Sequence, residues 1–320
     1  MGGWACLVTG GAGFIGSHVA DRLVREGHRV RVVDNLSTGD ERNLAHLRGQ
    51  IEFLHQDLTD RETCRRAAEG IDVVFHLAAL PSVPRSMEDP WGSFQHNVTA
   101  TMQLLLAARE AKVRRMVYSS SSSVYGDTPV LPKAEPAEPL PRSPYAAAKL
   151  SGEQFVLAFA RAGLIEGVAL RYFNVFGPRQ SPRSAYAAVI PAFMDAALHG
   201  RPARIHGDGQ QTRDFTYVDN VVDANLLAAT RPAAEVNGVA CNVGAGQRTS
   251  LLQLLEAVRE ITGRQVEVVH GSPRPGDVRD SLASLERAQA ALGYQPGVSL
   301  REGLTRTWRW FQSAAPGAAA

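Results

Sequence analysis

Cysteine is scarce in this chain: Cys6, Cys64 and Cys241 are the only three in 320 residues. They are too few and too far apart for a disulfide framework or a cysteine-ligated zinc site, so no metal is expected and the thiols read as reduced. Cys6 and Cys241 fall in short apolar runs and are expected to be buried strand residues. No apolar run approaches 18 residues, and the amino terminus enters a strand pattern within a few positions, without a leader peptide. That excludes a membrane-spanning helix on the sequence pattern and points to the cytoplasm. Charge of one sign is lacking as well. Thirty-four basic residues stand against 32 acidic ones, a net charge of +2, which offers no electrostatic footprint for nucleic acid or an anionic membrane. Lysine is the rarest charged type, with only Lys112, Lys133 and Lys149 among the 34 basic residues, so each one is a candidate for a specific role.

What is present is an ordinary globular composition, 44% hydrophobic and 21% charged, long enough for one large α/β domain or two smaller ones. The first half alternates short β-rich runs with helical patterns, the mark of βαβ units and a parallel sheet. Strands are expected at Trp4–Val8, Val30–Val33, Ile51–Leu54, Val73–Leu77, Met116–Ser119 and Gly167–Arg171. Helices are expected at Phe14–Glu26, Trp91–Lys112 and Tyr145–Arg161. Beyond Gly177 the alternation weakens into short apolar pieces between Pro and Gly clusters, with further helices at Leu251–Ile261, Leu282–Leu292 and Leu300–Phe311. The fold class is therefore α/β: a Rossmann-type doubly wound parallel sheet with a smaller C-terminal substrate-binding lobe over its carboxyl edge, where ligands bind in open sheets. Residues 1–177 form the first unit and 178–313 mainly the second, with some segments returning to the sheet. Residues 314–320 carry no packing signal and are expected to be a disordered tail.

The strongest chemical signal follows the first strand. Gly10-Gly11-Ala12-Gly13-Phe14-Ile15-Gly16 leads straight into a helical pattern. Glycines let the backbone turn tightly and approach a pyrophosphate, and the helix terminus supplies amide donors and its dipole. Asp34 ends the second strand 24 positions after Gly10. A carboxylate there accepts hydrogen bonds from ribose hydroxyls and repels a 2′-phosphate, which selects NAD over NADP. Asp57-Leu58, after the third strand, is open to two readings: contact with adenine, or a cap on the helix that starts near Arg61.

A second constellation lies further on. Tyr145 and Lys149 are i and i+4, neighbours on one helix face. A free phenol titrates near ~10, too high for a base at neutral pH. A fixed ammonium and an oxidised, positively charged cofactor ring both favour the phenolate. The run Ser119-Ser120-Ser121-Ser122-Ser123-Val124-Tyr125-Gly126 stands where a strand leaves the sheet, so that hydroxyls point into the ligand crevice.

With the glycine loop, Asp34, His76-Leu77-Ala78-Ala79, the serine run, Tyr145/Lys149 and Arg171-Tyr172-Phe173-Asn174-Val175-Phe176-Gly177-Pro178 in hand, the chain resembles the extended short-chain dehydrogenase/reductase superfamily over nearly its whole length. Within it the chain is most similar to the NAD-dependent UDP-hexose 4-epimerases, closest to the bacterial group acting on UDP-glucose and UDP-N-acetylglucosamine. Ser184–Pro191 and Gly207–Asp219 carry that narrower match. The resemblance implies a catalytic set of Ser121, Tyr145 and Lys149. It implies NAD held by Gly10, Gly13, Phe14, Ile15, Gly16, Asp34, Asn35, Asp57, Leu58, Leu77, Ala78, Ala79, Tyr145, Lys149 and Phe173. It implies a UDP-sugar held by Ser82, Arg85, Ser121, Ser122, Ser123, Tyr145, Asn174, Val189, His206, Arg213, Arg274, Asp277 and Ser281. Arg213 and Arg274 match diphosphate-binding arginines, whose planar forks suit phosphate oxygens. Asn97 is equally open to a reading as a helix-interior polar contact and stays outside the catalytic set. A homodimer is also implied, with the helices around Asn97–Lys112 and Tyr145–Arg161 pairing into a four-helix bundle.

Related enzymes that eliminate water carry Thr-Asp-Glu before Val-Tyr-Gly, and UDP-glucuronate decarboxylases carry a glutamate there. This chain has Ser121, Ser122 and Ser123, and no carboxylate to protonate a leaving hydroxyl. What remains is removal and return of hydride at carbon 4. Two readings stand beside this one. A UDP-glucuronate 4-epimerase would need Arg85 or Arg179 at carbon 6, and a non-catalytic NAD sensor would have no need of Tyr145, Lys149 and Ser121. Ser281 matches a pocket-wall position where a small residue admits an N-acetyl group and tyrosine excludes it. The alternative role for Ser281 is a cap starting the Leu282–Leu292 helix.

Overall fold

A computed structural model describes residues 3–182, 188–272 and 278–314. Thirteen strands are present among them. β1 is Ala5–Thr9, β2 Arg29–Asp34, β3 Ile51–His55, β4 Val73–His76, β5 Arg115–Ser121, β6 Glu166–Tyr172 and β7 Val175–Phe176. β8 is Ala203–His206, β9 Thr212–Arg213, β10 Thr216–Tyr217, β11 Val239–Val243, β12 Thr249–Ser250 and β13 Val268–Gly271. The α-helices are α1 Phe14–Arg25, α2 Arg61–Ala68, α3 Val83–Glu88, α4 Pro90–Phe94, α5 Ala100–Glu110 and α6 Pro144–Arg161. They continue with α7 Val189–His199, α8 Val218–Thr230, α9 Ala233–Val236, α10 Leu251–Thr262, α11 Glu286–Leu292 and α12 Leu300–Ala314.

Seven strands form one sheet in the order β11-β6-β5-β4-β1-β2-β3, and every pair in it is parallel. The sheet is sandwiched, and for that reason its central strands read as unbroken apolar runs rather than alternating ones. Cys6 and Val8 of β1 face α1, α8 and α11 through Val19, Leu23, Val221 and Leu292. Ala5 and Leu7 face α2, α5 and α6 through Cys64, Leu104, Leu105 and Val156. Each such leucine or valine withdrawn from water contributes about 1.5–3 kcal/mol. Cys6 and Cys241 are both fully buried, on β1 and β11.

A second core joins Phe193 and Met194 of α7, Leu254 and Val258 of α10, and Leu304, Trp308 and Phe311 of α12 to Ile205 of β8. It sits beyond the carboxyl ends of β6 and β7, where Val175 touches both cores. α8, β11 and α11, though late in the chain, belong to the sheet core.

The expected elements are present, with instructive differences at their ends. β5 runs on to Ser121, two residues past its expected end, because Ser119, Ser120 and Ser121 pair with Leu170, Arg171 and Tyr172 of β6. The stretch expected as one helix from Trp91 is interrupted by a π-helical turn at Gln95–Thr99 between α4 and α5. α11 begins at Glu286 with Leu285 at its N-cap, so Ser281 caps no helix. α12 extends to Ala314, one residue into the expected tail, and residues 315–320 lie outside the described residues. No described helix is long and apolar enough to cross a membrane.

Candidate active site

The sheet order places the topological switch between β1 and β4, where the loops that leave the two strands part in opposite directions. A cavity of about 750 Å³ opens there along the carboxyl edge. Its first wall is the glycine loop. Gly10 has φ +66°, and a Cβ on it would lie 2.8 Å from Ala78 Cα; a Cβ on Gly16 would lie 2.2 Å from Gly10 O. Neither position admits a side chain, so the backbone is bare at both. Gly13, the N-cap of α1, offers no capping side chain, and the first turn of α1 carries no acidic residue. Its amides and dipole are thus directed at the cavity, a cradle that fits a pyrophosphate. Asp34 accepts from Ala12 N at 2.9 Å and Leu36 N at 2.8 Å, and it lines the same cavity. Burial pushes its carboxyl up, and the backbone hydrogen bonds oppose that. Asp57 accepts from Asn35 Nδ2 at 2.7 Å and Thr59 N at 2.8 Å. Burial raises it, but these bonds prevail and hold it below the usual carboxylate value. The N-cap of α2 is Asp60, not Asp57, which removes the capping reading and leaves Asp57 as a cavity residue beside Leu58.

The second wall is the end of β5 and the start of α6. Ser121 Oγ accepts from Ser123 N at 3.2 Å and from Ser123 Oγ at 2.9 Å, so a short 3-10 turn fixes its direction. The Ser121 hydroxyl also acts on the Tyr145 phenol. Ser143 caps α6, accepting from Ala146 N at 3.1 Å, which sets the register of Tyr145 and Lys149 on the cavity side. Burial pushes the Tyr145 phenol up, and Ser121 opposes that. Lys149 is fully enclosed, and burial pushes its ammonium down to about 7, with Glu153 opposing. A bound cofactor with a positively charged ring would favour the phenolate.

Beneath this wall lies a polar layer. Glu153 pairs with Arg171 at 2.6 and 3.0 Å and accepts from Ser120 Oγ at 2.6 Å, all inside the core. His76 bridges Thr9 Oγ1 at 2.7 Å and Thr101 Oγ1 at 2.9 Å, and burial holds it neutral, down to about 3. Asn97 is taken up by Leu80 and Ser93: its Oδ1 accepts from Leu80 N at 3.0 Å and its Nδ2 donates to Ser93 Oγ at 3.2 Å. From within the π-helical turn it shapes the wall, and its side chain is committed to those structural contacts.

The third wall comes from far along the chain. Asn174, in the left-handed region at φ +25°, donates to Ser281 Oγ at 3.2 Å and Asp214 O at 3.4 Å. Short polar side chains tolerate that backbone better than others. Asp214 accepts from Ala245 N, Gly246 N and Ala283 N at 2.8 to 3.0 Å, binding the loops that carry Arg213 and Ser281 to each other. Arg213 Nη1 donates to Thr212 O and Arg279 O, both at 2.9 Å. Ser82 caps α3 by accepting from Arg85 N at 3.1 Å, and Arg85 is exposed at the cavity mouth.

Of the residues expected from sequence, Gly10, Gly13, Phe14, Ile15, Gly16, Asp34, Asn35, Asp57, Leu58, Leu77, Ala78 and Ala79 line this cavity. So do Ser82, Arg85, Ser121, Ser122, Ser123, Tyr145, Lys149, Phe173, Asn174, Arg213 and Ser281. Two do not. Val189 opens α7 and packs on the second core, and the His206 ring turns to Ser272 O at 3.0 Å. Short strands such as β8 take their facing from the strand they pair with, here β13, which the local pattern does not reveal. Arg274 and Asp277 lie outside the described residues. Lys133, 3% exposed and bonded to Thr128 O and Oγ1, also lines the cavity. Its only advance signal was the rarity of lysine. Among the described residues no group of three His, Cys, Asp or Glu could hold a metal.

A family model described as NAD dependent epimerase/dehydratase family matches residues 6–244. A UDP-glucose 4-epimerase of Mycolicibacterium smegmatis is 42% identical over 311 residues, covering 96% of this chain and 98% of that protein. Among solved structures, a UDP-N-acetylglucosamine 4-epimerase of Methanobrevibacter ruminantium in complex with UDP-N-acetylmuramic acid superposes with a TM-score of 0.93 at 38% identity, covering 98% of this chain and 100% of the other. A UDP-glucose 4-epimerase of Thermus thermophilus in complex with NAD gives 0.90 at 36%, covering 97% and 100%. By sequence, by fold and by the residues that meet at the switch point, the chain belongs to the NAD dependent epimerase/dehydratase family.

Proposed function

We propose that this protein inverts carbon 4 of UDP-hexoses through a transient 4-keto sugar, with NAD resident in the cavity. The observation that carries it is the distribution of charge. Among the described cavity residues the only carboxylates are Asp34 and Asp57, both at the adenosine end, while Tyr145, Ser121 and Lys149 meet at the other end with hydroxyls around them. That set can take and return a proton and cannot serve elimination. The bound cofactor supplies the acceptor and donor of hydride. Tyr145 removes the proton from the 4-hydroxyl, Ser121 orients the same oxygen, and Lys149 steadies the phenolate. Asn174 and Arg213 hold the substrate, and Ser281 leaves space beside the substituent on carbon 2, so N-acetylated hexoses are substrates as well.

The assembly is a homodimer. Met87, Trp91 and Phe94 are exposed on α3 and α4, Leu106 and Phe155 on α5 and α6, and Trp91 stacks on Phe94. An apolar face of this kind fits a second copy of the chain packing helix on helix. Three unbridged thiols fit a reducing cytoplasm. The test is incubation with UDP-glucose, UDP-N-acetylglucosamine and UDP-glucuronate in turn, resolving each 4-epimer. Equilibration of the first two supports the reading. Turnover of the glucuronate alone, or of none, refutes it.

A further inference from the structure

Lys149 poses an electrostatic question. It is 2% exposed, and no carboxylate stands within ion-pair distance of it among the described residues. Glu153, one turn along α6, is engaged by Arg171 and Ser120. A buried ammonium left in that state would shed its proton. What faces it is an aromatic ring: Nζ lies 4.5 Å from the ring centroid of Tyr118, on β5.

Tyr118 is held with little freedom. It is 1% exposed, its Oη donates to Lys149 O at 3.3 Å, and its ring packs on His76 at 5.7 Å between centroids. A Cβ on residue 152 would lie 2.3 Å from Tyr118 Oη, so only glycine at that position lets the ring seat against α6. The titratable and charged groups around Lys149 are Tyr145 and Glu153 on its own helix, Tyr118 from β5 and His76 from β4, and His76 is neutral. The negative face of the Tyr118 ring, 4.5 Å from the ammonium, therefore compensates it beside the field of Glu153.

We propose that Tyr118 is a positioning residue whose ring face, by cation–π attraction, keeps Lys149 charged and in place beside Tyr145. The proposal rests on the assignment of Lys149 to the reaction. Lys149 acts as an ammonium, so its deprotonation sets the alkaline limb of turnover. Weakening the ring's attraction lowers the pH at which the proton leaves and moves that limb toward acid.

The experiment is the pH dependence of kcat, at saturating substrate, of the NAD-loaded enzyme carrying Tyr118→Phe, then 4-fluoro-, 3,5-difluoro- and 3,4,5-trifluorophenylalanine at 118, and Tyr118→Leu. Fluorination drains the ring face with little change of shape. Phenylalanine should keep the limb where the parent has it. The fluorinated series should shift it stepwise to lower pH, and leucine should shift it furthest, by about one pH unit. A limb that stays fixed across the fluorinated series overturns the proposal, even if kcat falls. Should the leucine variant fail to fold, the fluorinated series decides alone. Lys149→Met separates the two levels: if it turns over like the parent, the assignment of Lys149 fails and the proposal with it. If it is inactive while the fluorinated series is flat, only the role of Tyr118 fails.

Discussion

Removing the carboxylate of Glu153 should destabilise the active-site wall. The side chain is fully buried, forked against Arg171 at 2.6 and 3.0 Å, and receives Ser120 Oγ at 2.6 Å. Glu153→Ala would leave the Arg171 charge 3% exposed, with Tyr125 Oη at 2.8 Å as its remaining strong partner. Stranding one member of a buried pair costs about 3–5 kcal/mol. For a chain of this size each kcal/mol lowers Tm by roughly 2 °C, which predicts a fall of roughly 6–10 °C. Replacing both partners by methionine should cost less than either single truncation, because no charge is then left unpaired. The assay is thermal and urea unfolding of the parent, the two single variants and the double variant, read by circular dichroism. A loss below about 1 kcal/mol for Glu153→Ala, or a double variant less stable than either single, would refute the argument that this pair is a buried, mutually dependent unit.

Tyr145→Phe should fold and retain NAD yet lose epimerisation by at least about 100-fold, since no other group at the sugar end accepts the 4-hydroxyl proton; near-parental turnover would overturn that assignment. Asp34 should make the protein strongly prefer NAD, and equal affinity for NADP by titration calorimetry would show that the ribose does not meet this carboxylate. Ser281→Tyr should abolish turnover of N-acetylated substrates while sparing the plain hexoses, and a variant that handles both as the parent does would remove Ser281 from the pocket wall. His76 is held neutral in the fold, down to about 3, whereas an unfolded histidine protonates below about 6.5. The unfolded chain therefore binds the extra proton, and stability falls as pH drops from about 6.5 toward 3, by about 1.4 kcal/mol per pH unit. His76→Gln should remove that part of the slope, which urea midpoints measured from pH 7 to 4 would report.

Sequence alone determined the parts of this protein that are local. The glycine loop is legible because a strand, a side-chain-free turn and a helix N-terminus must follow one another within a few residues to hold a pyrophosphate. Tyr145 and Lys149 are legible because one helical turn makes them neighbours, and the serine run because it stands where an apolar strand leaves the sheet, with Ser121 singled out within it by the family resemblance. The tertiary structure decided whatever depends on chain segments meeting across long distances. Asn174, Arg213 and Ser281 form one wall because Asp214 draws three loops onto its carboxylate. Val189 and His206 turn away because core packing and strand pairing fix their direction. The π-helical turn at Gln95–Thr99 leaves no mark in a helical pattern, since it changes one turn and keeps the apolar faces. Glu153 and Tyr118 carry no signal in the sequence, and Arg171 appears there only as the first residue of a motif, with no sign of its buried partner. Their importance comes from burial, which strengthens every charge it encloses, and burial belongs to the fold rather than to any one segment.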